Sequence, residues 1–103
     1  MSQESIYVQK PWLKHYDPGV PATLEYPRIP LAALLRKAFD QVPDRTALCY
    51  MGQQIPYREL DRLSNQMAHV LAKNGCRPGD TVGVHLPNLP ACYIAAIAIQ
   101  KAG

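Results

Sequence analysis

"CYIAAIAIQKAG", residues 92–103, is a stretch in which almost every side chain is apolar or small. Its composition predicts a helix, and on a wheel of 100° per residue Ile97 and Ile99 lie about 200° apart. The helix therefore presents isoleucine to opposite sides. Leaving two such side chains in water would forfeit about 3–6 kcal/mol, a large share of the roughly 5–15 kcal/mol that stabilises a domain. We expect these 103 residues to cover one side only, and the natural molecule to extend further.

The residues just before this helix predict a strand. "CRPGDTVGVHLPN", residues 76–88, contains a turn at 78–80, a β-prone run at 81–86 and Asn88, which we expect to cap the helix, with Pro90 in the first turn. A strand, a short loop and a helix form the first two-thirds of a βαβ crossover, which needs a parallel strand after the helix. The sequence therefore predicts an α/β fold with an incomplete parallel sheet and flanking helices.

Two further helices, with a hairpin between them, are predicted upstream. The first has an apolar stripe formed by Leu31, Leu34, Leu35, Ala38 and Val42. In the hairpin, two β-prone runs flank a tight turn at Gly52-Gln53. The second helix follows at Tyr57 and ends where Gly75 supplies a left-handed cap. We expect it to be half-buried, because an apolar stripe opposes a polar one. The apolar stripe consists of Leu60, Leu63, Met67, Val70 and Leu71, and the polar stripe of Arg58, Arg62, Gln66, His69 and Lys73.

Residues 1–30 form a proline-rich arm that is distinct from the rest of the chain. Five of the ten prolines fall in it, and because proline removes backbone donors, we expect no regular helix over residues 10–30. The arm nevertheless carries large apolar side chains, namely Trp12, Leu13, Tyr16, Val20 and Tyr26. A disordered linker and an ordered strap pinned onto a larger body both fit this composition. We favour the strap, since aromatic side chains contribute mainly when they are buried.

Composition and charge exclude several classes of protein. Eleven Lys and Arg are spread among eight Asp and Glu without a run of one sign, so the net charge of +3 marks no footprint for nucleic acid or anionic lipid. Three cysteines without a C-x-x-C argue against a disulfide framework and a zinc site, and favour reduced cytosolic thiols. The first residues lack the basic start and apolar core of a secretory signal, and no run of 18 apolar residues is present. We therefore expect a cytoplasmic protein.

Residues that could carry chemistry are few. The six glycines form neither G-x-G-x-x-G nor G-x-x-x-x-G-K, the two glycine patterns that cradle phosphates. The histidines His15, His69 and His85 have no partner at metal or triad spacing. Only His85 falls near the carboxyl end of the predicted parallel strand, where open α/β sheets place ligands, and packing is its favoured role.

The cysteines and paired carboxylates add no specific site. Cys49 and Cys92 lie in apolar runs and are interpreted as core residues, whereas Cys76, beside Arg77, is the single candidate for a reactive thiol. Two carboxylate pairs, Glu59 with Asp61 and Asp40 with Asp44, have spacings that do not indicate an acid/base pair. The sequence therefore predicts no catalytic, cofactor-binding or metal-binding residue in this chain.

The segment 54–103 resembles the N-terminal part of the adenylate-forming acyl-CoA synthetases. The landmarks that carry the resemblance are Tyr57, Glu59 and Leu60 of a Y-x-E-L motif, Asn65, Ala68 and Leu71, a G-D-x-V motif at 79–82, a P-N-x-P motif at 87–90, and K-A-G at 101–103. Upstream, "PDRTALCYMGQ" at 43–53 is similar to the first hairpin of that family. The arm "KPWLKHYDPGVP" at 10–21 is similar to that of the long-chain fatty-acid CoA ligases.

This resemblance implies a fold, an activity and a division of the chain. It implies an arm at 1–30 and, at 31–103, the truncated start of a large layered α/β AMP-binding domain, with a small mobile domain further on. The implied reaction joins a fatty acid to CoA through an acyl-adenylate, with ATP, Mg²⁺ and CoA as cofactors. In such proteins the phosphate loop and the catalytic lysine lie beyond position 103, so we expect the fragment alone to be inactive. Pro56 departs from the family, which has Thr or Ser there to cap the helix reciprocally with Glu59.

Two other functions remain open from the residues. A free-standing, non-catalytic α/β module would bind a protein partner through the outer side of the last helix. A small thiol-dependent redox protein would rest on Cys76 alone. For the ligase, the expected partners are the remainder of its chain and a fatty acid, and nucleic acid is not expected. A homodimer and a peripheral contact with the inner membrane face are both compatible with the sequence.

Overall fold

Three helices and one hairpin make up the packed part of the chain. The computed structural model describes residues 4–103, so the first three residues of the predicted arm lie outside the described residues. A short helix α1 (Ile6–Gln9) and a 3₁₀ helix (Pro11–His15) are followed, after an irregular stretch, by α2 (Leu31–Gln41), β1 (Thr46–Tyr50), β2 (Gln53–Pro56), α3 (Tyr57–Lys73) and α4 (Pro90–Ala102).

The hairpin forms as predicted, with its turn one residue earlier. Strands β1 and β2 pair antiparallel, with Tyr50 opposite Gln53, so the two turn residues are Met51 and Gly52. Their φ angles are 46° and 81°. Positive φ at both central positions is the type I′ geometry, whose twist matches that of paired strands. The predicted turn at Gly52-Gln53 was therefore displaced by one position, because Met51 as well as Gly52 adopts the left-handed conformation.

Helix α3 has well-defined ends. At its start, the amides of Tyr57 and Arg58 donate to the carbonyls of Arg45 and Pro43, both at 2.9 Å. At its end Gly75 has φ 90°, its amide donates to the carbonyl of Ala72 at 3.0 Å, and the amide of Cys76 donates to that of Leu71 at 3.0 Å. These two bonds form a Schellman cap, which confirms the predicted role of Gly75. The polar stripe predicted for this helix is exposed throughout, and Leu60 of the apolar stripe is buried.

Helix α4 packs against α3 through alanines. Ala98 is 0% exposed and Ala95 is 8% exposed, and side chains this small let two helices approach closely. The three isoleucines of α4 are only half-buried and Tyr93 is 50% exposed. One side of α4 is therefore covered by α3, and the described residues leave the rest partly open.

Helix α2 contributes one core residue that the predicted stripe omits. Phe39 is 3% exposed, whereas Leu31 and Leu34 of that stripe are 50% and 45% exposed. The buried side chains of the described residues are Phe39, Leu60, Ser64, Ala95 and Ala98. This is a small core, centred on the junction of α2, α3 and α4.

The predicted strand and parallel sheet are not present among residues 4–103. Residues 81–86 are irregular, and the sheet of this part of the chain consists of β1 and β2 alone, paired antiparallel. A strand exists only when a neighbour completes its hydrogen-bond ladder, and the described residues supply none for 81–86. Val84 and Leu86 are accordingly 40% and 44% exposed. The turn that precedes them does form, with the amide of Asp80 donating to the carbonyl of Arg77 at 3.0 Å.

Of the two roles predicted at the start of α4, that of Pro90 is confirmed and that of Asn88 is not. Pro90 is the first helical residue, as expected for a residue without an amide hydrogen. The N-cap is Leu89, however, and no side chain caps the helix. The role predicted for Asn88 is therefore wrong, because the helix begins one residue later than a cap at Asn88 requires.

The arm contains more helix than predicted and covers little of the core. The 3₁₀ helix begins at Pro11, where a missing amide hydrogen is harmless, so the expectation of no regular helix over residues 10–30 was wrong for its first part. Apart from Leu13, which is half-buried, its large apolar side chains remain exposed, from Tyr26 at 78% to Ile29 at 38%. The arm is therefore not packed onto residues 31–103. That a larger body covers it stays a prediction.

The accessible surface area and the radius of gyration show how much of the chain is left uncovered. The accessible area is 8548 Å², whereas a folded protein of this mass exposes about 5,800 Å². The radius of gyration is 19.1 Å, against about 13 Å for a compact domain of 100 residues. Much apolar surface of the arm, of 81–86 and of α4 thus faces solvent in these residues alone.

We predict that the isolated chain of residues 1–103 does not melt cooperatively as a monomer. A core of so few buried side chains cannot offset the conformational entropy of about 100 residues. Circular dichroism should show helix without a sharp thermal transition, and a dye that binds exposed apolar surface should fluoresce strongly. A single steep calorimetric transition from a monomer would contradict this.

The start of α3 generates a second prediction. Pro56 is the N-cap and offers no side-chain acceptor, so Pro56→Thr would place a hydroxyl near the third helical amide, that of Glu59. Relative to Pro56→Ala, which loses the rigidity of proline without gaining a cap, we expect Pro56→Thr to be more stable by about 1 kcal/mol. Against the parent chain the gain should be smaller, because proline stiffens the unfolded state. Denaturant unfolding of the full-length gene product measures both differences, and equal stability of the two variants would argue against the cap.

Candidate functional site

A polar cluster joins the three long helices at the centre of the core. The ammonium of Lys101, on α4, donates to Asp61 Oδ1 at 2.6 Å, to Asn65 Oδ1 at 2.7 Å, to Ser64 Oγ at 2.8 Å and to the backbone carbonyl of Asp61 at 3.2 Å. The side chain of Lys101 is only 12% exposed. All of its acceptors come from one turn of α3, so this lysine fixes where α4 lies along α3.

The spacing of residues on α3 explains this arrangement. Asp61, Ser64 and Asn65 are three and four positions apart, which places them on one face of a helix. The hydroxyl of Ser64 also donates to the carbonyl of Asp61 at 3.0 Å. Ser64 is 0% exposed, and among the described residues no buried side-chain polar atom lacks a partner. The cluster is thus fully satisfied, as a buried polar network must be.

Helix α2 enters the same cluster through Arg36. Its guanidinium grips the Asp61 carboxylate with two bonds, Nη1 to Oδ2 at 2.7 Å and Nη2 to Oδ1 at 2.8 Å. Such a planar fork is the stronger geometry for an arginine and a carboxylate. Both cations also lie near the ring of Phe39, with Lys101 Nζ 5.1 Å and Arg36 Cζ 5.5 Å from its centroid. We call Arg36, Phe39, Asp61, Ser64, Asn65 and Lys101 the Lys101 cluster.

The two cations control the ionisation of Asp61. The hydrogen bonds from Arg36, followed by those and the charge of Lys101, hold the pKa of the Asp61 carboxyl below its ordinary value, although partial burial acts in the opposite direction. The same carboxylate raises the pKa of Arg36. Asp61 is therefore charged at neutral pH and is the common anion of both pairs.

The Lys101 cluster has the properties of a structural joint. The ammonium of Lys101 donates its hydrogen bonds to protein acceptors, and the negative charge of Asp61 is paired with two protein cations. No free nucleophile or unpaired base is left in the cluster to act on a substrate. The sequence indicated Lys101 only as part of the K-A-G motif at 101–103, and the cluster was missed. The available signal was the set of polar residues at 61, 64 and 65 beside the apolar stripe of α3.

The carboxylate pairs considered from the sequence are separate in the structure. Glu59 does not lie with Asp61 but forms an ion pair with Arg62, whose Nε donates to Glu59 Oε2 at 2.8 Å. This bond and the charge of Arg62 lower the pKa of Glu59. Asp44 pairs with Arg58, and Asp40 lies 3.7 Å from Arg36 across one turn of α2. Glu59 and Asp44 thus each have an arginine of their own, whereas Asp40 shares Arg36 with Asp61.

The histidines and cysteines do not converge on a site. His15, His69 and His85 are exposed and lie on different parts of the chain. Cys49 is exposed, so its predicted core position was wrong: β1 belongs to a two-stranded sheet with little cover. Cys76 and Cys92 are half-buried, and all three thiols are free. Within residues 4–103, no group of three or more His, Cys, Asp and Glu is placed to hold a metal ion.

One cavity lies beside β1, at the start of α4. Its volume is about 210 Å³, and its walls include Cys49, Asn88 and Tyr93. No charged side chain lines it, so it offers no counter-charge to a phosphate or a divalent cation. Among the described helices, none combines the length and apolarity needed to cross a membrane.

A family model described as "AMP-binding enzyme" matches residues 35–103. The match begins one residue before Arg36 and contains the entire Lys101 cluster, the hairpin and both α3 and α4. It covers about two-thirds of the chain and leaves out the arm.

Individual relatives extend this match. The long-chain-fatty-acid–CoA ligase of Bacillus subtilis is 33% identical over 95 residues, 92% of this chain and 17% of the relative. A medium/long-chain-fatty-acid–CoA/3-oxocholest-4-en-26-oate–CoA ligase of Mycolicibacterium smegmatis is 40% identical over 73 residues, 71% of this chain and 13% of the relative. Triostin synthetase I of Streptomyces triostinicus is 38% identical over 74 residues, 72% of this chain and 14% of the relative. The chain therefore spans about a sixth or less of the length of these relatives.

The Lys101 cluster generates a prediction on stability and pH. Because Asp61 is the common anion of two cations, Asp61→Asn should lower the free energy of unfolding at neutral pH by about 2–3 kcal/mol. The pKa of Asp61 is lowered in the folded state, so its contribution is present above its ordinary pKa of 3.8 and is lost as the pH falls through the lower folded value. Asp61→Asn should therefore flatten the loss of stability below about pH 4.

Asp40→Asn is the matched control, since the side chain of Asp40 is 66% exposed and its contact with Arg36 is long. We expect it to change stability by less than about 0.5 kcal/mol. Urea unfolding of the full-length gene product between acid and neutral pH measures both variants. If the two lost the same stability, the central position of Asp61 would be refuted.

The comparisons with known proteins lead to one conclusion. The family match covers the helices and the hairpin that hold the Lys101 cluster together, and relatives at 33% and 40% identity bear names of CoA ligases. This confirms the resemblance found in the motifs of residues 54–103. The chain belongs to the AMP-binding enzyme family.

Proposed function

We propose that this chain is the front part of an ATP-dependent fatty-acid CoA ligase. The observation that carries the proposal is the match with the Bacillus subtilis long-chain-fatty-acid–CoA ligase over 95 residues. Residues 31–103 number only 73, so at least 22 of the matched residues belong to the arm. A match confined to the AMP-binding core would fit any member of the family, and the arm adds similarity to the fatty-acid branch.

In the proposed reaction a fatty-acid carboxylate attacks the α-phosphorus of ATP and releases pyrophosphate, leaving an acyl-adenylate. The thiol of CoA then attacks the acyl carbon and displaces AMP, which gives the thioester. ATP, Mg²⁺ and CoA are the proposed cofactors of the full-length enzyme. We assign none of their binding to residues 4–103, because Lys101 is committed to its cluster and the cavity near α4 has no charged wall.

The proposed contribution of this chain is a scaffold. Residues 1–30 form the arm, and residues 31–103 begin the large AMP-binding domain. In that domain we propose that residues 81–86 become a strand when a later, parallel strand pairs with them, and that further layers cover the outer side of α4. The exposed Val84, Leu86 and Tyr93 support this, since each would be buried by such neighbours. With three free thiols and no paired cysteine, a cytoplasmic location is the proposed one.

The test is ATP–pyrophosphate exchange on the full-length gene product with a panel of carboxylates. Fatty acids of medium and long chain should support exchange, and addition of CoA should then yield the acyl-CoA. The panel also includes amino acids and a sterol carboxylate, the kind of acid in the name of one relative, as competing classes of substrate. Exchange that depends on an amino acid, and not on a fatty acid, would overturn the proposal.

Residues 1–103 alone should show no exchange with any of these acids. The gene also separates the ligase from a stand-alone module. An open reading frame that continues into a Ser/Thr/Gly-rich loop supports the ligase, whereas a stop codon after Gly103 supports a module that binds a partner through α4.

A further inference from the structure

The tip of the hairpin carries the most exposed large hydrophobic side chain of the described residues. Met51 is 88% exposed, and the next, Tyr26, is 78% exposed. Residues 49–54 are all exposed, and a Cβ built at Gly52 would meet no atom beyond its chain neighbours within 4 Å. The turn therefore projects into solvent. Because turns of this kind lie at the surface of a domain, we expect Met51 to stay accessible in the longer protein.

The backbone conformation of Met51 makes a methionine unexpected at this position. Its φ of 46° lies in the left-handed region, which Asn, Asp and Gly adopt most readily in a type I′ turn. A methionine there is conformationally unfavourable, and its thioether is too weak an acceptor to form the local hydrogen bonds that Asn or Asp would form. The exposed side chain also contributes nothing to the core. Neither the turn nor packing accounts for this residue, which leaves the chemistry of its sulfur.

Met67, the other methionine of residues 4–103, lies in a different environment. It belongs to the apolar stripe of α3 and is half-buried. The oxidation of a thioether follows its exposure, and the polar sulfoxide that results disrupts a core. At Met51 the sulfoxide would lie in solvent and would disturb no packing. The chain thus holds one methionine whose oxidation is easy and tolerated, and one that is partly shielded and whose oxidation would damage α3.

We propose that Met51 is a site of reversible oxidation by hydroperoxides. A lone pair of its sulfur attacks one oxygen of the peroxide, and an S–O bond forms as the O–O bond breaks. The proton of that oxygen moves to the departing oxygen, which leaves as water when the oxidant is hydrogen peroxide. The sulfur is oxidised by two electrons and the peroxide is reduced by two. A methionine sulfoxide reductase with a thiol reductant reverses the change. This site is independent of the proposed ligase activity and goes beyond it.

The experiment is oxidation of the full-length gene product by hydrogen peroxide after its thiols have been blocked, since the thiol of Cys49 is also exposed. Peptide mapping by mass spectrometry follows each methionine with time. Met51 should oxidise at a rate within about a factor of two of a methionine in an unfolded peptide, and at least about threefold faster than Met67. Methionine sulfoxide reductase should then restore Met51. Protection of Met51 to the level of Met67, or a sulfoxide that the reductase does not reduce, would overturn the proposal.

Two matched variants test whether the fold tolerates this oxidation. Met51→Leu removes the sulfur at the turn and keeps a large apolar side chain, and Met67→Leu does the same in α3. After brief treatment with peroxide, the wild type and Met51→Leu should unfold at the same temperature, and Met67→Leu should still be oxidised at Met51. A fall in the unfolding temperature that follows oxidation of Met51 and is absent from Met51→Leu would refute a tolerated site. Pyrophosphate exchange is measured on untreated protein, so the proposed function is judged separately.

Discussion

The ionised carboxylate of Asp61 is the interaction on which the arrangement of the helices depends. It receives the fork of Arg36 from α2 and the ammonium of Lys101 from α4, while its own helix supplies Ser64 and Asn65 to complete the shell of the lysine. Apolar packing alone would not fix how far α4 slides along α3, because Ala95 and Ala98 are small and nearly equivalent. A buried polar network whose hydrogen bonds are satisfied in only one geometry fixes that position. Fixing a position is a better attested role of buried charged groups than adding stability.

The same joint bears on the scaffold role that we propose for these residues. The charged groups of the core are paired with one another, and the cavity near α4 is lined by neutral side chains. What remains open is apolar surface: the outer side of α4, the irregular stretch at 81–86 and the arm. Paired charges in the core and uncovered apolar faces support the role proposed above, that of a scaffold which holds its own elements in place and offers surfaces for others to cover.

Several local features were predictable from the sequence, although the cap at Asn88 and the 3₁₀ helix of the arm were not, and features that need a distant partner were missed. The type I′ hairpin and the Schellman cap depend on Gly52 and Gly75 and on a few neighbouring residues, so a short window of sequence contains their cause. The strand predicted at 81–86 would need a neighbour that the described residues do not supply. The Lys101 cluster joins positions 40 residues apart, and nothing in the spacing around Lys101 alone indicates which turn of α3 receives it. Phe39 was missed for the same reason, since its burial is decided by α3 and α4. The family could be recognised from the sequence because the motifs along 54–103 occur in a fixed order. That order preserves information about the tertiary structure indirectly.

The complete burial of Ala98 links sterics to electrostatics in this joint. The residue has no exposed surface at the contact of α3 and α4, three positions before Lys101. A valine or leucine there would push the helices apart and move the ammonium of Lys101 away from its acceptors. The larger side chain would thus leave a desolvated charge without its hydrogen-bond partners. Position 98 is therefore a natural place for temperature-sensitive alleles, whose enzyme would assemble when cool and fail when warmed although every polar residue of the joint is intact.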